Sequence, residues 1–180
     1  LWLRGPRNLR ALFKDSGHRS DFIKKYGDGP VFINMALLGF LTVTYILLVG
    51  GQLNGPTIGG VFTVVGFGAW GKHPKNVLPL LAGIFLAAHF SVHDTSSTAA
   101  LLAALFGTTL APLCGYFGPL AGLIAGGLHI ALTTNTTFLH AGMNLYNNGF
   151  SGGFVAALLV PILEKLAERR DNAAFPAINE

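Results

Sequence analysis

The sequence predicts an all-α, polytopic integral membrane protein with about six hydrophobic segments, two of them broken or re-entrant helices. Three observations lead to this prediction. First, 51% of the 180 residues are hydrophobic and only 11% are charged, whereas soluble domains carry about 25% charged residues. Second, only three formal charges, those of Lys72, Lys75 and Asp94, occur between residues 29 and 163. Third, apolar runs recur between polar or glycine-rich breaks, so lipid is the solvent that suits most of the chain.

The two ends of the chain are richer in charge than its middle. Residues 1–29 mix basic and apolar side chains around a Ser16-Gly17 break, which predicts a cytoplasmic amphipathic segment or a linker. Residues 30–166 form the predicted transmembrane helical domain, and residues 167–180 form the predicted cytoplasmic tail. Because the first residue is not methionine and no signal-peptide pattern follows, we expect a fragment, such as the C-terminal half of a longer chain.

Six apolar runs are the predicted membrane segments. They are residues 30–48, 55–70, 77–90, 98–110, 117–132 and 151–163. The first run is long enough for about 30 Å of hydrocarbon at about 1.5 Å per residue. The second is short and rich in glycine, which favours a tilted or half-length helix. A turn at residues 72–76, where Pro74 disfavours helix continuation, separates the second run from the third.

The last three runs are bounded by capping residues, glycine and proline. The Thr-Ser-Ser sequence at residues 95–97 is a predicted N-cap for the fourth run, and Pro112 and Gly115 are predicted to end it. The sixth run follows a polar, uncharged stretch at residues 133–148. In the fifth run, three glycines spaced four apart share one helical face, which favours close packing against another helix; they are Gly118, Gly122 and Gly126.

The basic residues predict the topology. If each of the six runs crosses the bilayer, all 12 Lys and Arg residues lie on one side, and the positive-inside rule makes that side cytoplasmic. We therefore expect a multi-pass protein of the plasma or inner membrane, with both termini of this chain in the cytoplasm. Lys72 and Lys75 are interpreted as topology anchors. The net charge of +4 is explained by this flanking charge, so we expect no nucleic-acid partner.

Two Asn-Gly motifs, Asn54-Gly55 and Asn148-Gly149, predict broken helices around a polar route. Each motif stands just before an apolar run that begins near a Gly-Gly pair. Non-helical backbone in hydrocarbon survives only beside protein or water, because unpaired polar groups are costly there. A helix that begins at Pro56 or Gly149 would direct its N–H groups toward the membrane centre. Alternatively, both motifs are surface loops between ordinary spans. The residues predicted to bind solute are Asn54, Thr57, Phe62, Asn144, Asn147, Asn148, Phe150 and Ser151.

We expect the chain to act as a membrane channel or facilitative transporter for a small polar, uncharged solute. The pore would form with an N-terminal repeat half of a longer chain or between copies in a homo-oligomer. A second hypothesis is a proton- or ion-coupled transporter, in which His89, His93 and Asp94 form a proton relay. His89 and His93, with Asp94 adjacent, could also bind zinc, but no further ligand at a fixed spacing supports that interpretation. A third hypothesis is a non-transporting membrane scaffold.

The sequence contains no pattern typical of an enzyme. It lacks a Walker loop, a nucleophile elbow, a metalloprotease helix and paired catalytic carboxylates. Its single cysteine, Cys114, lies in an apolar run and is interpreted as a small buried residue. We therefore expect no enzymatic activity, no cofactor and no bound metal.

Three stretches carry a resemblance to known families: NGPTIGG, HPKNVLP and LHAGMNLYNNGFSGG. Through them, residues 30–163 resemble an uncharacterised family of bacterial and archaeal multispanning membrane proteins. Members of that family are about twice this length, which implies that the chain is a fragment. Residues 52–163 also resemble, more weakly, one repeat of the urea-transporter fold, through QLNGPTIGG and NLYNNGFSGG. That resemblance implies two pore-side helices that open at the Asn-Gly motifs.

Overall fold

The computed structural model describes residues 5–91 and 94–174, and all regular secondary structure in these ranges is helical. The α-helices in this part of the chain are α1 (Gly5–Leu12), α2 (Phe22–Tyr26), α3 (Asp28–Leu48), α4 (Gly55–Gly66), α5 (Pro74–His89), α6 (Thr98–Gly107), α7 (Ala111–Phe117), α8 (Pro119–Thr136) and α9 (Asn144–Ala174). Short 3₁₀ turns follow α4, α6 and α8, at Phe67–Ala69, Thr108–Leu110 and Thr137–His140. The prediction of an all-α fold is confirmed for these residues.

Three helical stretches are long and apolar enough to cross a membrane, judged by length and composition. They are Asp28–Leu48, Thr98–Phe117 and Asn144–Arg170, and Gly55–Ala69 is a shorter apolar helix. Most of the first and third stretches remains exposed, including Phe40 and Leu48. An apolar face that the chain itself leaves uncovered suits contact with lipid or with another protein. These helices therefore fit a membrane location.

Each of the six predicted runs overlaps a helix, but two boundaries differ from the prediction for reasons that involve proline. Helix α5 begins at Pro74 rather than at residue 77, because Asn76 Oδ1 accepts a hydrogen bond from the His73 N–H at 2.9 Å and closes the first turn. The fourth run continues through Pro112 to the end of α7. Both prolines lie in the first turn of a helix, where the missing N–H costs no hydrogen bond. The predicted cap of α6 is confirmed, since Ser97 accepts a hydrogen bond from the Ala100 N–H.

The N-terminal segment packs against the rest of the protein. The predicted break is confirmed at Gly17, which has φ +78° between α1 and α2. Leu12 and Phe22 on either side of the break are fully buried in a small cluster with Val31 and Ala69. A Cβ on Gly17 would lie 2.1 Å from the Gly71 carbonyl oxygen, so the two backbones touch. This contact fixes the connection between α4 and α5.

Helices α5 and α8 form the closest helix pair in the core. A Cβ added at Gly83 would lie 2.0 Å from the Leu123 carbonyl oxygen, and one at Gly126 would lie 2.3 Å from the Leu80 carbonyl oxygen. Small residues permit such an approach, as the glycine spacing predicted. The prediction is confirmed for Gly122 and Gly126, whose added Cβ atoms would collide with their neighbours. Gly118 instead ends α7 with φ +94° and has open space beside it.

The fourth apolar stretch is interrupted at its centre. Between α6 and α7 the chain forms a 3₁₀ turn at Thr108–Leu110, and the Thr108 hydroxyl donates to the Leu105 carbonyl at 2.6 Å. The preceding Gly107 faces His129 of α8, which would lie 2.7 Å from an added Cβ. The interruption places hydroxyl groups inside an apolar bundle, next to α9, where the candidate site lies.

Candidate functional site

A cavity of about 410 Å³, here named cavity A, lies between α4, the interrupted fourth stretch and the first half of α9. Small-molecule sites in proteins have volumes of about 300–1,000 Å³. Cavity A presents hydroxyl, amide and amino groups between apolar walls, and the glycines of α9 leave backbone exposed to it. Its lining residues are Thr63, Phe67, Lys72, Phe106, Thr109, Leu110, Leu145, Asn148, Gly149, Gly152, Gly153 and Ala156.

A second cavity of about 440 Å³, here named cavity B, lies on the other side of the 3₁₀ turn. Its lining residues are His18, Thr109, Leu110, Pro112, Leu113, Tyr116, Phe117, Ala156, Val160 and Glu164. Thr109, Leu110 and Ala156 line both cavities. These three residues therefore separate one cavity from the other, and we call them the partition.

Together the two cavities follow α9 from its first turn to its charged end. Cavity A reaches Leu145 and cavity B reaches Glu164. At about 1.5 Å per helical residue, that interval is about 28 Å long, which is close to the roughly 30 Å of a hydrocarbon core. Gly152 permits α9 to approach the partition, since an added Cβ would lie 2.8 Å from the Thr109 methyl carbon.

Lys72 is the charged residue of cavity A, and its side chain is buried rather than extended toward a membrane surface. It is 6% exposed, its Nζ donates to the Thr108 hydroxyl at 2.7 Å, and Nζ lies 5.0 Å from the Phe67 ring centre. Asn34 donates from Nδ2 to the Lys72 carbonyl at 2.8 Å and so holds this backbone in place. Among the side chains described for residues 7–91 and 94–170, no carboxylate lies within 4.0 Å of the Lys72 amino group.

Burial lowers the pKa of Lys72, which lies in the connection before α5, to about 7. Lys72 therefore does not extend its side chain to the surface, whereas Lys75 is exposed; the role of both lysines as topology anchors stays a prediction. Sequence reasoning missed Lys72 because a lysine at the edge of an apolar run has the same pattern whether it points outward or inward. Only the tertiary contact with Thr108 distinguishes the inward orientation of the side chain from the outward one.

The second Asn-Gly motif does not break a helix. Helix α9 begins at Asn144 and continues through Asn148 and Gly149, so the prediction of a helix beginning at Gly149 is wrong. The reason is that Asn147 and Asn148 bond to α8 and to the preceding turn of α9 instead of bending their own backbone. Asn148 Oδ1 accepts from His129 Nε2 at 3.0 Å, with the ring proton assigned to that nitrogen, and Asn148 Nδ2 donates to Asn144 Oδ1 at 2.7 Å.

Asn147 and Ser151 complete this interface between α8 and α9. Asn147 Nδ2 donates to the Thr133 carbonyl at 2.7 Å, and its Oδ1 accepts from the Thr136 hydroxyl at 2.7 Å. The Ser151 and Thr136 hydroxyl oxygens lie 3.4 Å apart. Four predicted solute-binding residues are thus brought together at one interface: Asn144, Asn147, Asn148 and Ser151. Of these four residues, Asn148 lines cavity A, and the other three line neither cavity A nor cavity B.

The first Asn-Gly motif caps α4. Asn54 Oδ1 accepts from the Thr57 N–H at 3.0 Å, and the Thr57 hydroxyl accepts from the Asn54 N–H at 2.8 Å. Asn54 Nδ2 donates to the Thr98 hydroxyl at 3.0 Å, which joins the starts of α4 and α6. Asn54 and Thr57 line neither cavity, and the exposed Phe62 and Phe150 line neither as well.

Of the predicted proton-relay residues, His89 is the exposed last residue of α5 and Asp94 lies exposed in the connection before α6. Asp94 accepts from the Ser96 N–H at 2.9 Å and from its hydroxyl at 2.7 Å, and these bonds lower the pKa of Asp94. His89 stacks on Phe85 with ring centres 5.6 Å apart. His93 lies outside the described residues. His89 and Asp94 line neither cavity. In the described part of the chain, no group of three His, Cys, Asp or Glu side chains could hold a metal ion.

The fold and these cavities define the class of protein: a helical protein with three apolar stretches that fit a membrane location and, beside the last of them, two mainly apolar cavities that also present polar groups. A family model described as "Protein of unknown function (DUF1576)" matches residues 5–165, and the chain belongs to this family. The predicted membership of an uncharacterised family is thus confirmed. No curated protein and no solved structure gives a match, so the likeness to a urea-transporter repeat stays a prediction.

Proposed function

We propose that this protein is a polytopic membrane protein that gives a small polar solute a passive route across the plasma or inner membrane. Six helical segments would cross: α3, α4, α5, α6 with α7, α8 and α9. Both described ends would then lie on the cytoplasmic side, in agreement with the distribution of basic residues. The uncovered faces of α3 and α9 would contact lipid, a second copy or another half of a longer chain.

The observation that carries this proposal is the pair of cavities along α9. Cavity A and cavity B together extend over about 28 Å and share the partition of Thr109, Leu110 and Ala156. Polar groups such as Lys72 and Glu164 in cavities at membrane depth are costly unless they serve a substrate or an ion. The proposed route therefore runs along α9 and crosses the partition, which acts as its narrowest point.

The sequence-based proposal placed the route between the two Asn-Gly motifs, and the contacts support a different position. Asn54 and Thr57 form bonds that hold the starts of α4 and α6. Asn148 contributes to cavity A from the second motif. Thr63, Thr109 and Asn148 are the neutral polar side chains proposed to contact the solute, while Phe67 and Phe106 narrow the cavity.

Flux through liposomes that contain the purified protein tests the proposal. Ala156→Leu adds bulk at the partition, and we expect it to lower the uptake of glycerol or urea by about tenfold or more, because a channel constriction cannot admit the added isobutyl group. Ala157→Leu makes the same change at the adjacent, exposed position of α9 and serves as the matched control. Uptake that is absent in the wild type, or equal in both variants, would contradict the proposal.

The same assay separates the two other hypotheses. A coupled transporter would need a pH gradient, and Asp94→Asn would remove that need. A scaffold would give no uptake under either condition. A passive route predicts uptake that is independent of the gradient and unchanged by Asp94→Asn.

A further inference from the structure

We propose that cavity A binds the carboxylate of a small organic monoanion, with Lys72 as its charge partner. As a statement about the transported solute, this inference rests on the proposed function. As a statement about binding, it stands on the geometry of cavity A alone.

Lys72 has hydrogen-bonding capacity that the described residues do not use. A lysine ammonium carries three donors, and the Thr108 hydroxyl accepts one of them at 2.7 Å. That hydroxyl is itself committed, because it donates to the Leu105 carbonyl, and it can therefore only accept from Lys72. The remaining donors of the Lys72 ammonium are therefore available to a ligand, since Lys72 lines cavity A.

The charge of Lys72 lacks a partner in the described part of the chain. A buried ammonium is ordinarily paired with a carboxylate, since its desolvation is costly. Here the Phe67 ring at 5.0 Å offers weak compensation. An anion in cavity A would supply the missing charge, and the hydroxyl of Thr109 and the amide of Asn148 line the same space.

The surroundings favour an organic monoanion over a divalent anion such as sulfate. A single lysine compensates one negative charge, and a second charge would be buried without a partner. The walls supplied by Phe106, Leu110 and Leu145 are apolar and suit a short hydrocarbon chain. Asn34 holds the Lys72 backbone from α3, so the ammonium is positioned before any ligand arrives.

Butyrate and its neutral isostere butyramide test the inference directly. Binding to the full chain in an uncharged detergent is measured by calorimetry at mildly acidic pH, where both Lys72 and butyrate are charged. We expect butyrate to bind about tenfold or more tightly than butyramide, since one charge-assisted pair distinguishes the two. Lys72→Met should remove this preference. Lys75→Met, at the nearby exposed lysine, should retain it.

The outcomes separate this inference from the proposed function. Equal affinity for butyrate and butyramide in the wild type, or no binding of butyrate, overturns the inference even if Lys72→Met fails to fold. Sulfate that binds as tightly as butyrate overturns the choice of a monocarboxylate. Butyrate binding without flux in liposomes supports the site and contradicts transport. Flux of glycerol, with no preference for butyrate over butyramide in binding, supports the proposed function and contradicts the carboxylate site.

Discussion

At the scale of single residues, Asn54 shows how a polar side chain in an apolar chain can serve the fold. Asn54→Ala removes the N-cap of α4 and the bond to Thr98. We expect the free energy of unfolding to fall by about 1 kcal/mol, with the flux of the folded protein unchanged. Thermal unfolding in detergent and uptake into liposomes measure the two effects.

Asn54→Asp is the control for this prediction, because it keeps the oxygen that accepts from the Thr57 N–H. We expect it to retain most of the stability. A loss of flux in Asn54→Ala with stability unchanged would contradict the prediction and restore Asn54 to the solute route.

Asp15 controls the docking of the N-terminal segment. Burial alone would raise the pKa of Asp15, but the hydrogen bonds to its carboxylate outweigh burial and hold that pKa well below its usual range. The donors are the Lys25 ammonium, the Tyr26 hydroxyl, the Gly17 N–H and the Ser20 hydroxyl. Because the pKa is lower in the folded state, the stabilisation is complete above about pH 4 and is lost as the pH falls below it.

Hydrogen exchange of α1 and α2 between mildly acidic and strongly acidic pH checks this prediction. We expect protection of the segment to decrease as the pH falls through the range below about 4. Asp15→Asn should lower protection at neutral pH and flatten the dependence. Protection of α1 and α2 that is independent of pH in the wild type would contradict the role proposed for Asp15.

Residue identities could be predicted where their role is local. Ser97 as a cap and Gly17 as a break follow from short-range conformational preferences. The roles of Lys72 and Asn148 could not be predicted, because they depend on Thr108 and His129, which belong to other helices. A polar residue has the same sequence pattern whether its partner is a solute or a neighbouring helix.

At the scale of elements, the closeness of α5 and α8 depends on glycine. Gly126→Ala places a methyl group 2.3 Å from the Leu80 carbonyl oxygen, so the helices must separate. We expect a loss of about 1–3 kcal/mol in the free energy of unfolding, as for other overpacked sites. Denaturation in detergent measures it.

Gly59→Ala is the matched control for this packing prediction. Gly59 is exposed within α4 and has nothing within 4 Å of an added Cβ. Alanine there should raise stability slightly, by roughly 0.5–1 kcal/mol, since glycine is a poor helix former. Equal effects at both positions would show that the contact between α5 and α8 does not limit stability.

Helices were the most predictable elements, since each apolar run overlaps one. Helix boundaries at proline were less predictable, because a proline such as Pro112 can end one helix or begin the next. The continuity of α9 was not predictable from Asn148-Gly149, a common turn pattern. The buried bonds of Asn147 and Asn148 to α8 override that local preference.

At the scale of the whole molecule, the proposed topology predicts which positions are accessible from which side. Lys24→Cys and Glu168→Cys should react with an impermeant maleimide only after the inside of the cell is opened. Gln52→Cys, in the connection between α3 and α4, should react in intact cells. The single native cysteine, Cys114, is buried and gives little background. Labelling of Gln52→Cys and Lys24→Cys from the same side would contradict the topology.

The touching backbones of Gly17 and Gly71 connect distant parts of the molecule mechanically. A Cβ at either glycine would lie 2.1–2.3 Å from the carbonyl oxygen of the other. Lys72 is the residue that follows Gly71 in the chain. The segment that includes Gly17 is therefore in direct backbone contact with the residue that precedes the buried ammonium. A displacement of that segment toward the core would press on the backbone that carries the charge of cavity A.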